Sequence, residues 1–286
     1  MADDKQISGY GLGSVDTVMS VDAVEQAARD LEGGGPSRDD LIALTGDRET
    51  AVDLNGLKAG YGRMEILHGL DMLVGKGQSL CLIGPNGAGK STVLHAIFGF
   101  CDVMGGSITV GERDVTRLTS NEKLSAAGVA YILQDNSVFP DMTVEENLLM
   151  GGFLKNRPAE ARQAADRVFE KYSRLADRRK QKAGTLSGGE RRLLEISRAL
   201  IMDPQVLLVD EPSIGLEPRF IDMVFEILGD LQQGDGKTII MVEQNAKKGL
   251  EFADIGYVLV SGQLAKAGLG NDLLNDDDVG RLFLGG

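Results

Sequence analysis

The chain has 286 residues, of which 42% are hydrophobic and 26% charged, which is typical of a globular protein with a sizeable core. Its formal net charge is −13, whereas proteins that act on nucleic-acid backbones usually present a basic surface, so we expect no nucleic-acid partner. The two cysteines, Cys81 and Cys101, make neither a disulfide framework nor a zinc pattern. Without a signal peptide or an apolar run of roughly 20 residues, we expect a cytoplasmic chain.

Residues 1–50 differ in composition from the rest, with 11 acidic and 4 basic side chains and hence a net charge of −7. The stretch Asp16–Leu31 places apolar residues at roughly helical spacing before a linker-like Gly33–Ser37. We interpret Asp16–Leu31 either as a docking helix or as part of a partly disordered acidic tail. We therefore predict an N-terminal extension over 1–50 and a folded domain over 51–286.

The segment GPNGAGKST (Gly84–Thr92) fits the phosphate-binding loop pattern of Gly, four residues, and Gly-Lys-Ser. An apolar strand, Ser79–Ile83, precedes it, and a helical stretch, Thr92–Phe100, follows it. Strand, glycine loop and helix N-terminus together favour the binding of anions. A plain glycine-rich turn is the structural alternative.

Each residue type in this loop has a chemical role. Glycines let the backbone approach a phosphate closely, so the amides of Gly87, Gly89 and Lys90 can point at the β-phosphate. The Lys90 ammonium would reach the β- and γ-phosphates, and the Ser91 hydroxyl would ligate Mg²⁺.

Two carboxylates, Asp210 and Glu211, follow the apolar strand Gln205–Val209. Asp210 is placed to hold Mg²⁺ and Glu211 to orient or deprotonate an attacking water. Acidic residues that merely face solvent at a strand end are the alternative. The sequence therefore predicts nucleotide hydrolysis if the two carboxylates meet the glycine loop.

A second anion-binding device starts at LSGGE (Leu186–Glu190), where a serine and two glycines open a helix. A serine is also a favoured helix cap, so an ordinary capped start is the alternative. Between this motif and a predicted strand, Gly128–Gln134, lie apolar residues that we expect to be exposed, namely Val138, Phe139 and Met142. Thr143 and Glu146 form a predicted capping box at the next helix.

Together these motifs resemble the ATP-binding subunits of ABC transporters, over about Leu54–Gly286. The resemblance implies an α/β fold: a P-loop NTPase core of the ABC ATPase type, with an antiparallel β subdomain and a helical signature subdomain at about 135–182. The stretches VFPDMTVEENLLMG, LSGGERRLLEISRALIMDP, DEPSIGLEP and MVEQNA are similar to the ATPases of branched-chain amino-acid importers and of their urea and amide relatives.

The resemblance assigns roles residue by residue. Tyr61 would stack on adenine, Gln134 would touch ATP and Mg²⁺, and Gln244 would take the switch position, where histidine is commoner and can carry a charge that glutamine cannot. The implied catalytic residues are Lys90, Glu211 and Gln244, and the implied metal ligands are Ser91, Gln134 and Asp210. The implied ATP contacts are Tyr61, Gly84, Pro85, Asn86, Gly87, Ala88, Gly89, Lys90, Ser91, Thr92, Gln134, Ser187, Gly188, Gly189 and Glu190.

The same resemblance implies ATP and Mg²⁺ as cofactors and a place on the cytoplasmic face of the inner or plasma membrane. The implied partners are transmembrane permease subunits, a second ATP-binding subunit in a homo- or heterodimer, and, indirectly, an extracytoplasmic solute-binding protein. Two alternatives stay open: an importer of urea or short amides, and a soluble ABC ATPase without a transport role.

Overall fold

The computed structural model describes residues 35–134 and 137–284. Its strands are β1 (Thr50–Tyr61), β2 (Met64–Gly75), β3 (Ser79–Ile83), β4 (Asp102–Val110), β5 (Arg113–Asp114), β6 (Val129–Ile132), β7 (Val206–Asp210), β8 (Thr238–Val242), β9 (Ile255–Val260) and β10 (Gln263–Leu269). Its α-helices are α1 (Arg38–Thr45), α2 (Lys90–Phe98), α3 (Ser120–Ala127), α4 (Val144–Gly151), α5 (Pro158–Lys171), α6 (Ser173–Ala176), α7 (Gly188–Leu200), α8 (Pro218–Gly229), α9 (Ala246–Phe252), α10 (Gly270–Leu274) and α11 (Asp277–Val279).

The strands form two sheets. The first is antiparallel in the order β2-β1-β4-β5, and the second has the order β10-β9-β3-β8-β7-β6. Within the second sheet all neighbours run parallel except β10, which pairs antiparallel with β9. This arrangement confirms the predicted α/β class with an antiparallel β subdomain.

The central strands β3, β7 and β8 of the second sheet are buried at every position and mostly apolar, because both of their faces are covered. Along β7, for example, Val206 and Leu208 belong to one core, and Leu207 and Val209 to the other. Successive side chains of a strand point to opposite faces, so a continuous apolar run supplies both cores at once.

The first core fills the space between the two sheets, and α2 lies within it through Val93, Leu94 and Ile97. The second core lies on the opposite face of the parallel sheet, under α4, α5, α7 and α8. The phosphate-loop helix is therefore enclosed by the sheets, while the signature helix belongs to the second core.

The helix predicted after Thr143 is present. Thr143 caps α4 and forms the predicted capping box with Glu146. Along α5 and α6, an apolar stripe is buried at Ala164, Val168 and Leu175. None of the helices in the described parts of the chain combines the length and apolar content needed to cross a membrane.

Two details of the predictions were wrong. The strand expected to end at Gln134 ends two residues earlier, at Ile132, because the chain leaves the sheet edge there to form a loop. Val138, expected to be exposed, is buried in the second core, whereas Phe139 beside it is exposed.

Part of the predicted N-terminal extension packs on the folded body. Ser37 and Asp40 form a capping box at the start of α1, which lies against β2 and β10. Leu41 is fully buried in the first core, and Arg38 donates a hydrogen bond of 2.6 Å to Asp53. The possible helix Asp16–Leu31 lies outside the described residues, and the division of the chain at residue 50 stays a prediction.

If α1 is an integral part of the fold, Leu41→Ala should lower the free energy of unfolding by about 2–5 kcal/mol, since it empties a fully buried leucine site. Ile42→Ala on the same helix is the control: this side chain is 50% exposed, and its loss should cost no more than about 0.5 kcal/mol. Urea unfolding of both variants measures the difference. Equal, small effects would contradict the packing of α1.

Candidate nucleotide-binding and catalytic site

The parallel sheet gathers the predicted site at one edge. Strands β3, β6, β7 and β8 run in the same direction, so their carboxyl ends meet at a single edge of the sheet. Gly84 directly follows β3, Asp210 ends β7, and Gln134 and Gln244 each come two residues after β6 and β8. The carboxyl edge of a parallel sheet is where ligands of α/β proteins bind.

The glycine loop has the backbone that a phosphate cradle requires. Gly87 and Gly89 have φ angles of 82° and 97°, in the left-handed region that glycine adopts without strain. A Cβ atom at Gly84 would lie 2.1 Å from the carbonyl oxygen of Leu259, so glycine is needed there for close approach. The N-terminus of α2 has no side-chain cap, which leaves its amides to an anion.

Lys90 is buried inside this loop. Its ammonium donates hydrogen bonds to the carbonyl oxygens of Gly84 and Pro85, at 2.8 and 2.9 Å. Burial lowers the pKa of Lys90, and the negative charges of Glu211 and Asp210 oppose that shift. The cation is thus held by the loop, with two carboxylates near enough to favour its charged form.

Both oxygens of Asp210 accept hydrogen bonds. Ser91 Oγ donates to Oδ1 at 3.1 Å, and the Tyr131 hydroxyl donates to Oδ2 at 2.7 Å. Burial, followed by the charge of Asp210, raises the pKa of Tyr131, so its hydroxyl stays protonated as a donor. Magnesium prefers hard oxygen ligands and usually takes only one or two from carboxylates. The hydroxyl of Ser91 and the carboxylate of Asp210 fit that requirement.

Glu211 leaves the sheet in an unusual backbone conformation. Its φ is 43°, in the left-handed region that is rare for a non-glycine residue and recurs at functional sites. Its amide donates to Val242 O at 2.8 Å, and its carboxylate accepts a hydrogen bond of 3.0 Å from Gln134 Nε2. The predicted base and the predicted glutamine therefore meet directly.

Tyr61 ends β1 with its ring 43% exposed. Its hydroxyl shares a hydrogen bond with His95 Nδ1 on α2, and the two rings meet edge-on. Burial lowers the pKa of His95, which keeps this ring neutral at pH 7. A partly exposed ring beside the phosphate-loop helix is consistent with the predicted stacking on a purine.

The signature residues form a cap of their own at the start of α7. Ser187 accepts a hydrogen bond from the Glu190 amide, and the Glu190 carboxylate accepts from the amide and hydroxyl of Ser187 and from Arg178. Although burial opposes the shift, the hydrogen bonds from Ser187 and Arg178 lower the pKa of Glu190. A Cβ atom at Gly189 would lie 2.2 Å from Phe220, whereas Gly188 is exposed.

The sequence analysis missed a buried ion pair within the signature helix, on the side that contacts the Gln134 loop. Arg192 and Glu195 on α7 are each almost fully buried and lie 2.9 Å apart. Arg192 donates to Leu133 O at 2.7 Å, and Glu195 accepts from the Ser137 amide at 3.4 Å. Hydrogen bonds to Arg192 and Glu195 therefore hold the loop on both sides of Gln134. The sequence signal of the pair was an Arg and a Glu three residues apart on either side of Leu193 and Leu194.

A second missed residue is Glu243, which is 2% exposed and directly precedes Gln244. Its Oε1 accepts hydrogen bonds from the hydroxyl of Ser213, at 2.7 Å, and from the amide of Asn245, at 2.9 Å. Glu243 thus ties the loop after the acidic pair to the switch loop. A charged residue at the end of a wholly apolar strand was the available signal.

Comparisons with known proteins agree with this geometry. Residues 67–214 match the family described as "ABC transporter". The chain is 41% identical to a high-affinity branched-chain amino acid transport ATP-binding protein of Pseudomonas aeruginosa, over 79% of this chain and 96% of that protein. It is 37% identical to a probable branched-chain amino acid transport ATP-binding protein of Archaeoglobus fulgidus, over 80% and 96% of the two chains.

A solved structure of a nucleotide-free ATP-binding cassette from an ABC transporter has the same fold. The TM-score is 0.73 at 28% identity, and the match covers 83% of this chain and all of the other. With the phosphate loop, the acidic pair and the capped LSGGE helix in place, the chain belongs to the ATP-hydrolysing subunits of the ABC transporter family.

Proposed function

We propose that this chain powers an ABC importer of branched-chain amino acids by hydrolysing ATP on the cytoplasmic face of the membrane. The observation that carries the proposal is the paired contact of Ser91 with Asp210 and of Gln134 with Glu211. These two contacts join the phosphate loop, the acidic pair and the loop that leads to the helical region in one site. The substrate class is proposed from the relatives named above.

In the proposed mechanism the amides of the glycine loop and of the α2 N-terminus bind the phosphates, and Lys90 adds its charge. Mg²⁺, when bound, would neutralise phosphate charge beside Ser91 and Asp210. Glu211 orients the attacking water and accepts its proton, and Gln134 holds the Glu211 carboxylate in place. Gln244 offers a hydrogen bond to the γ-phosphate without a change of charge.

We infer that each active site is completed by a second ATP-binding subunit, identical or different. Ser187 and Gly188 are exposed at the start of a 13-residue helix, where the helix dipole attracts an anion. We propose that they contact the γ-phosphate held by the partner's glycine loop. Hydrolysis would then require that the two subunits close on each other.

We also propose where the permease docks. A cavity of about 290 Å³ opens beside the Gln134 loop. Its walls include Phe139 and Met150, which are almost half exposed, and Phe153, which is 62% exposed. Apolar side chains exposed together mark a surface for a partner. We propose that a cytoplasmic helix of the transmembrane subunits fills this docking groove, and that a solute-binding protein acts through those subunits.

The rim of the docking groove is fixed to the helical region. Asn147 on α4 is fully buried and exchanges hydrogen bonds with both backbone groups of Phe139, at 2.7 and 3.0 Å. Arg198 on α7 donates to the Ser137 carbonyl oxygen. A movement of the signature helix would therefore carry the groove loop with it.

Lys90→Ala should weaken ATP binding on the order of 100-fold, because a charged hydrogen-bond donor contributes about 1.5–3 kcal/mol. Isothermal titration calorimetry with ATP and Mg²⁺ measures the change. Lys58→Ala, at an exposed lysine of β1, controls for the loss of a positive charge and should bind as the unmodified chain does. Equal affinities of all three proteins would contradict the role of Lys90.

Glu211→Gln should lower the turnover number by about 10²–10⁴-fold, the usual contribution of a general base. ATP binding should persist, so size-exclusion chromatography with ATP should reveal a trapped dimer. Phosphate release is the activity readout, and Glu226→Gln, at an exposed glutamate of α8, is the control. A fully active Glu211→Gln protein would overturn the assignment of the base.

The transport role is tested by capture of the tagged Glu211→Gln chain, with ATP, from detergent-solubilised native membranes. Multi-span permeases and a second ATP-binding subunit should copurify. Phe153→Glu should abolish recovery of the permeases, because it places a charge in the docking groove, while Ile42→Glu, at a half-exposed apolar site of α1, should not.

The identity of the captured proteins decides between the proposed function and its alternatives. Permeases that bind branched-chain amino acids support the proposed substrate, and permeases for urea or short amides would replace it. Recovery of soluble proteins alone would contradict the proposed transport role.

A further inference from the structure

Tyr131 belongs to two parts of the molecule at once. Its hydroxyl donates a hydrogen bond of 2.7 Å to Oδ2 of Asp210. Its ring also forms part of the wall of the docking groove, together with Phe139 and Met150. One half-buried side chain thus spans from the proposed permease surface to the carboxylate proposed to hold the metal.

The register of the sheet explains this reach. Tyr131 on β6 lies opposite Leu208 on β7, and Asp210 is two residues further along β7 on the same face. A tyrosine at this position therefore points toward the carboxyl edge on the side of α2. Its ring and hydroxyl are long enough to reach the next strand's terminal carboxylate.

Other aromatic rings hold the tyrosine in place. The ring of Tyr131 lies 5.4 Å from that of Phe100, 5.5 Å from that of Phe98 and 5.8 Å from that of His95, measured between centroids. His95 in turn contacts Tyr61. A closely packed cluster transmits strain. A displacement of the groove wall therefore also moves the hydroxyl of Tyr131.

We propose that Tyr131 is a positioning residue that links the docking groove to the metal-holding carboxylate: occupation of the groove moves the ring, and the ring's hydroxyl sets the orientation of Asp210. The inference rests on the proposed function for the identity of the groove's occupant and for the metal role of Asp210. It adds a route by which a bound permease alters the affinity of the site for Mg²⁺ with ATP.

The hydroxyl of Tyr131 distinguishes the proposed positioning role from a role in packing alone. Phenylalanine has the same ring and would satisfy the aromatic cluster, but it has no donor for Asp210. Partners that orient a metal-ligating carboxylate typically change metal affinity by 10–100-fold when removed. The substitution Tyr131→Phe therefore separates the link to Asp210 from the structural role of the ring.

The first test measures ATP affinity of the isolated chain by calorimetry, once with Mg²⁺ and once with EDTA. Tyr131→Phe should weaken binding in Mg²⁺ by about ten-fold and leave binding in EDTA unchanged. Tyr172→Phe is the matched control, since it removes another half-buried hydroxyl, one with no hydrogen-bond partner within the described residues. Unchanged affinity of Tyr131→Phe in Mg²⁺ would overturn the proposal.

The second test is a double-mutant cycle with Ala199→Leu, which narrows the docking groove from α7. The larger side chain should alter the Mg²⁺-dependent affinity when Tyr131 is present and have no effect in the Tyr131→Phe protein, because coupled residues are not additive. The same change in both proteins, or no change in either, would overturn the link. Neither test uses a permease, so failure here is distinguishable from failure of the capture experiment.

Discussion

The parallel pairing of β3, β8, β7 and β6 is the constraint on which the site depends. A parallel sheet directs the carboxyl ends of all its strands to one edge, so residues far apart in sequence arrive there together. The register then fixes distances: Asp210 ends its strand within hydrogen-bonding reach of Ser91 on the neighbouring loop and helix. Because both faces of these strands are buried in separate cores, a slip of one residue would turn each core residue to the wrong face and separate the two groups.

The second level of organisation is the connection between the sheet and the helical region. Gln134 lies on the loop that leaves β6, yet its neighbours Leu133 and Ser137 are held by Arg192 and Glu195 of the signature helix. A buried ion pair is a weak source of stability, but breaking one partner leaves an uncompensated charge. The pair therefore preserves one geometry between the Gln134 loop and α7.

The sequence was sufficient for the fold class and for the order of the motifs because glycine loops, strand-ending carboxylates and capping boxes are local patterns. It was also sufficient to expect Thr143 to cap α4 and the stretch before Gly84 to be a buried strand. It was not sufficient for Tyr131, Asn147 or Glu243, since the importance of each depends on what another segment places beside it. Val138 shows the same limit: one of two adjacent apolar residues is buried and the other exposed, and only the packing of α4 and α7 decides which.

Several polar groups of the described site are hydrogen-bonded to one another. Lys90 bonds two carbonyl oxygens of its loop, Ser91 and Tyr131 bond Asp210, and Gln134 bonds Glu211. A buried ammonium or carboxylate without such partners would be costly, so these contacts keep the open site stable. A phosphate oxygen that bonds Lys90 replaces a neutral carbonyl acceptor with a charged one, and the hydrogen bond between two ionised groups is the stronger. At Lys90 the hydrogen bonds exchanged lie within the glycine loop. Gln134, in contrast, lies on the loop that Arg192 of the signature helix holds by hydrogen bonds. One route from the phosphate site to the helical region therefore runs through the contacts of the Gln134 loop with α7.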